Sequence, residues 1–186
     1  MKKSILTLFA VLLFGISTNA QQSILMVYNY SPYFLEARIE ANGLNGSCYP
    51  RISSNDYSNY NITFPPASGG SPFIAKYPKY NQGPASNPAI NQWLVQSSAT
   101  NPQIWRPASH AVFYDTSIFT TNTDWTDCLM VTRDANFVYG SELELGDPAY
   151  NSCNGISETY QDRNLVEGEW FTITSGSEKF TYVQVF

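Results

Sequence analysis

SILMVYNYSPYFLEARIEANGLNGSC, residues 23–48, reads as two β-strands joined by a tight turn. Residues 24–30 form an apolar run with β-branched and aromatic members, Ser31-Pro32-Tyr33 breaks it, and residues 34–41 then alternate with period two. Leu35, Ala37, Ile39 and Ala41 share one face of the second strand, which seeks a core. Glu36, Arg38 and Glu40 share the other, which is expected to stay wet. The pattern predicts a hairpin, and a protein built from such pairs.

Outward from this stretch the same signals recur. Asn42-Gly43 and Asn45-Gly46 supply the positive φ angles of tight turns. Eight of the eleven prolines lie between residues 65 and 107, a span read as long loops with short edge strands at residues 73–77 and 93–96. Residues 111–114 and 129–132 are apolar and predicted as strands. Residues 137–145 alternate cleanly, with Phe137, Tyr139, Leu143 and Leu145 on one face and Glu142 and Glu144 on the other. The closing pair, residues 169–174 and 179–186, carries large apolar groups on both faces, as central strands do. With no sustained helical period, the expectation is an all-β fold, an antiparallel β-sandwich of about nine strands with Pro/Asn-rich loops.

The first twenty residues are set apart. Lys2 and Lys3, an apolar run over residues 5–16 and Thr18-Asn19-Ala20 have the three parts of a secretory signal peptide, and the apolar run is shorter than the roughly 20 residues that span a bilayer. Residues 21–186 are expected to form a single β-sandwich domain, secreted to the cell exterior, surface or periplasm and not membrane-spanning after cleavage. Removing Lys2 and Lys3 from ten basic residues leaves eight against fifteen acidic ones, a net charge of −7 that disfavours nucleic acid as a partner.

Three cysteines in an exported chain imply one disulfide. Cys48 and Cys153 lie in turn-like surroundings and Cys128 opens the apolar run CLMV, which favours a Cys48–Cys153 bond, although connectivity is not fixed by sequence. One histidine and no close cysteine pair give no zinc site, and no metal or cofactor is expected. His110 lacks a partnered nucleophile and is read as exposed or capping. Glu142 and Glu144 stand roughly 7 Å apart on one strand, a spacing that would serve a hydrolase, but any amphipathic strand with two glutamates provides it. The ending FTYVQVF resembles the closing strand of bacterial outer-membrane barrels, yet Gln184 and the proline-rich middle break that pattern. These leave a secreted hydrolase and a small barrel as alternatives.

The feature that stands out is aromatic content among polar loop residues: Tyr57, Tyr60, Tyr77, Tyr80, Trp93, Trp105 and Trp125 lie among Asn, Gln, Ser and Pro. Flat rings flanked by amides and hydroxyls can stack on sugar faces or hold a protein partner. The function expected from sequence is non-catalytic binding or adhesion, with these seven residues contacting an extracellular polysaccharide or a surface protein.

Overall fold

The computed structural model describes residues 22–55, 62–156 and 158–186. Among the described residues twelve strands, rather than about nine, form two sheets: β1 (Gln22–Asn29), β2 (Phe34–Gly43), β3 (Arg51–Ser53), β4 (Ile62–Phe64), β5 (Phe73–Tyr77), β6 (Gln92–Gln96), β7 (Ile104–Pro107), β8 (Thr123–Arg133), β9 (Tyr139–Gly146), β10 (Tyr160–Asp162), β11 (Glu167–Ser175) and β12 (Glu178–Val185). A five-stranded sheet runs β10-β11-β12-β1-β5, and a seven-stranded sheet runs β7-β6-β3-β2-β8-β9 with β4 also pairing β2. The inner faces meet in one apolar cluster that includes Leu25, Val27, Leu35, Ile39, Leu143 and Val183. The all-β, sandwich-like expectation holds. Pairing is antiparallel except that β1 lies parallel to β12.

The opening pair is not a hairpin. β1 lies between β12 and β5, whereas β2 lies in the other sheet between β8 and the short strands β3 and β4. The buried side chain of Asn29 makes the corner. Its Nδ2 donates to the carbonyls of Tyr33 and Pro65, both at 2.8 Å, and its Oδ1 accepts from the amide and hydroxyl of Ser31. Four bonds to one amide replace the ladder that a two-strand turn would make. The chain therefore changes sheet at Ser31-Pro32-Tyr33.

The second face of β2 is not wet either. Leu35, Ala37, Ile39 and Ala41 point inward as expected, but Arg38, Glu40 and Asn42 are also buried. The Cys48–Cys153 disulfide is formed and ties the segment after β2 to a short helix at Asn151–Asn154. That segment folds tightly over the strand's end: a Cβ at Gly43 would lie 2.0 Å from the carbonyl oxygen of Tyr49, so only glycine fits. Glu36, at the other end, pairs with Arg133 at 2.8 Å and keeps partial access to solvent.

Other differences follow from length and position. Residues 111–113 form a 3-10 turn rather than a strand, and His110 caps it, its Nδ1 accepting from the amide of Val112 at 3.2 Å. β5 is an edge strand, but β6 lies between β3 and β7. On β9 only Leu143 and Leu145 reach the core; Phe137 stands in the preceding turn with φ of 59° and, like Tyr139, is exposed. The close approach of the sheets is marked at Gly168, where a Cβ would lie 2.8 Å from Leu145 Cδ1.

Candidate functional site

Four of the seven aromatic residues singled out from sequence are core. Tyr77, Tyr80, Trp93 and Trp125 are buried, so none presents a ring face to a ligand. Tyr80 packs against Trp125 at 5.1 Å and Trp93 at 5.4 Å, and the two tryptophans lie 6.0 Å apart. Their polar ends are satisfied inside, as buried Tyr and Trp require. Trp93 Nε1 donates to the Tyr80 carbonyl at 3.0 Å, Tyr77 donates to the Pro88 carbonyl at 2.9 Å, and the Tyr80 hydroxyl shares a hydrogen bond with Thr123. Burial pushes both phenols far above the ordinary tyrosine range. The proline-rich loop that looked exposed folds its rings back over the core. Tyr57 and Tyr60 lie outside the described residues.

Trp105 differs. It stands on β7, the edge of the seven-stranded sheet, with 37% of its surface exposed. It is paired with Leu94, which is paired in turn with Ser53, and Ser53 with Glu40. Residues paired directly across a sheet share a face, so Trp105, Leu94, Ser53 and Glu40 form one row on the outer side. Arg51, Gln96 and Gln103 form the next. Beside these rows lies a dimple with only about 10 Å³ of usable space, lined by Arg51, Ser53, Asn55, Leu94, Val95, Gln96 and Gln103. That is far below the roughly 300–1,000 Å³ of a pocket that engulfs a small molecule. A ligand here would lie along the surface. Trp105 lies beside this dimple rather than in its lining; of the polar lining groups, the amides of Gln96 and Gln103 keep access to solvent, whereas Ser53 and Asn55 are buried and Arg51 is paired with Glu40.

No protein-family model, curated protein or solved structure matches the chain. The site has to be read from its own chemistry.

That chemistry includes a pair the sequence concealed. Glu40 and Asp127 sit directly opposite one another on β2 and β8, both fully buried. Arg51 Nη2 donates to Glu40 Oε2 at 2.7 Å. Asp127 Oδ2 accepts from Asn154 Nδ2 at 2.6 Å and from Thr126 Oγ1 at 3.0 Å. Burial first, and the Glu40 carboxylate second, push the Asp127 carboxyl up to about 7, with the Asn154 bond and the Arg38 charge working against the rise. Arg51 pairs with Glu40 and the Arg38 charge acts on Asp127; among the described residues no cluster of three metal-ligating side chains occurs. Asn154 neighbours Cys153, so the disulfide holds the lid over this pair. Nothing local in the sequence marks it, because Glu40 and Asp127 are 87 positions apart and the lid comes later still. Glu142 and Glu144, by contrast, stand exposed on the outer face of β9.

A second surface was also missed. On the outer face of the five-stranded sheet, Phe171 stacks on Tyr182 at 4.9 Å, Tyr182 meets Tyr28 at 6.1 Å, Tyr28 meets Tyr30 at 6.1 Å, and Tyr30 stacks on Phe186 at 5.0 Å. The apolar residues on both faces of β11 and β12 come from this exposed row, not from cover on both sides. Partial burial, then the neighbouring phenols of Tyr182 and Tyr30, raise the Tyr28 pKa. These rings spend their faces on one another, unlike Trp105.

Proposed function

We propose that the protein is an exported, non-catalytic binding or adhesion module whose ligand is an extracellular polysaccharide, held along the outer face of the seven-stranded sheet with Trp105 as the stacking platform. The observation that carries this reading is the exposed Trp105 on the outer face of the edge strand β7, two positions along from the exposed Gln103, whose amide meets that of Gln96. A sugar ring offers an apolar face to the indole and a rim of hydroxyls to such groups, and a polymer can lie across strands without entering a cavity. The disulfide supports export to an oxidising compartment. Among the described residues no helix is long and apolar enough to cross a membrane. The strands close into two open sheets, not one barrel.

Tryptophan fluorescence tests it directly, because Trp93, Trp125 and Trp170 are buried and Trp105 is the exposed member of the four. A saturable shift with one soluble polysaccharide, together with protection of Trp105 from an ionic quencher, is the expected result. Trp105→Ala should weaken binding by about 1–3 kcal/mol, the range measured for a ring stacked on a flat ligand, with folding unchanged. Binding of undiminished strength in Trp105→Ala, or no shift across the panel, would overturn the proposal.

A further inference from the structure

The aromatic row on the five-stranded sheet has no role in the Trp105 surface, which lies on the opposite side of the sandwich. We infer that this face is the interface of a homodimer, in which two five-stranded sheets pack face to face.

The composition of the face is unusual for a surface exposed to water. Phe171, Tyr182, Tyr28, Tyr30 and Phe186 form a continuous ladder across β11, β12, β1 and the chain end. Tyr30 is 40% and Phe186 49% exposed, and Ile74 and Ile173 extend the apolar area on either side. At about 150–250 Å² per aromatic side chain, the exposed parts add up to on the order of 500 Å², at the top of the range of about 300–600 Å² for the largest patch on an ordinary monomer. Two such faces in contact would bury about 1,000 Å², the threshold for a stable interface.

Charge selects the occupant. The β10–β11 flank of this face is acidic, with Glu167, Glu169 and Asp162, and the β5 flank carries Lys76. β11 and β5 enclose β12 and β1 symmetrically. A two-fold axis parallel to the strands, running between β12 and β1, therefore lays β11 of one protomer over β5 of its partner. Each residue keeps its level along the strands under this rotation, so Lys76 comes to lie opposite Phe171 and one pleat, about 7 Å, from Glu169, a distance its long side chain spans, twice, while the ladders meet in the middle. Packing of sheets within about 30° of parallel is the ordinary geometry of a sandwich, repeated here between chains. A polysaccharide or an anionic surface gains nothing from an acidic flank; a second copy of this chain matches both flanks at once.

Sedimentation equilibrium of the exported protein should show a reversible dimer. Tyr182→Lys, which removes the central ring and places a like charge on the axis, should weaken dimerisation at least about 30-fold. Lys76→Glu should weaken it as well, and the double reversal Lys76→Glu with Glu169→Lys should restore it, a rescue that general loss of folding cannot produce. Trp105→Ala should leave the dimer intact, which separates this inference from the proposed ligand site. A chain that stays monomeric up to millimolar concentration, a dimer indifferent to Tyr182→Lys, or binding of polysaccharide or lipid vesicles to this face by a monomer would overturn it.

Discussion

Asp127→Asn is the sharpest probe of the buried polar cluster, because it removes a charge while keeping the shape of the side chain. The Asp127 carboxyl is raised from its ordinary 3.8 to about 7 by burial and by Glu40. The folded value lies above the unfolded one, so between about pH 4 and pH 7 the native state holds a proton that the unfolded chain has released. Stability from this group is therefore greatest in acid and falls as pH rises through the window. At 1.36 kcal/mol per pKa unit, the gap is worth at most about 4 kcal/mol, of which a single substitution that leaves the site buried should recover about 1–3 kcal/mol. Asparagine can still accept from Asn154 and Thr126 through its oxygen and can donate to Glu40 through its nitrogen. Urea unfolding at pH 5, 6, 7 and 8 is the assay. Wild-type protein should lose stability from pH 5 to pH 8, and Asp127→Asn should be the more stable of the two at pH 8, with a flatter profile. A variant that is less stable at pH 8 and keeps the wild-type slope would refute the assignment of the penalty to Asp127.

Two further changes test the scaffold. Replacing Cys48 and Cys153 with serine releases a cross-link that closes a separation of 105 residues, and should cost about 2–5 kcal/mol in unfolding free energy, with hydrogen exchange rising first in the Asn151–Asn154 helix. Asn29→Ala removes the amide that makes the corner between the sheets; leaving two buried carbonyls and an amide without partners should destabilise the protein by about 2–4 kcal/mol, read as a lower midpoint in thermal unfolding.

The sequence displays its inner faces well and its outer faces poorly. Leu35, Ala37, Ile39 and Ala41 were legible as core because period-two alternation depends only on the strand itself. The Cys48–Cys153 pairing was legible from turn surroundings. Glu40 followed the same alternation yet ended up buried, because it is paired with Arg51 of β3 and stands opposite Asp127 of β8, and alternation within one strand carries no record of either. Tyr80, Trp93 and Trp125 misled for the converse reason: their polar neighbours suggested loops, but Trp93 and Trp125 stand on the inner faces of β6 and β8, and Tyr80 turns inward from a 3-10 turn to pack on both. Trp105 is the exception, since an edge strand offers its ring no second sheet to pack under. The turn at Ser31-Pro32-Tyr33 was also correct as a turn; what joins its two strands was decided by Asn29, whose four bonds no local pattern announces.

The parallel pairing of β1 with β12 bears on the order in which the chain can fold. Gln22 lies beside Glu178 and Asn29 beside Val185, so the first strand acquires its main neighbour only when the last one arrives. Contacts between such distant positions form slowly, because a long loop must close before any of them is made. β2, β3, β4 and β8 can assemble earlier, but the five-stranded sheet stays incomplete until β12 has emerged. Until β12 docks, β1 is held on one side only, by β5, and truncation within Glu178–Val185 would leave it without its longest partner.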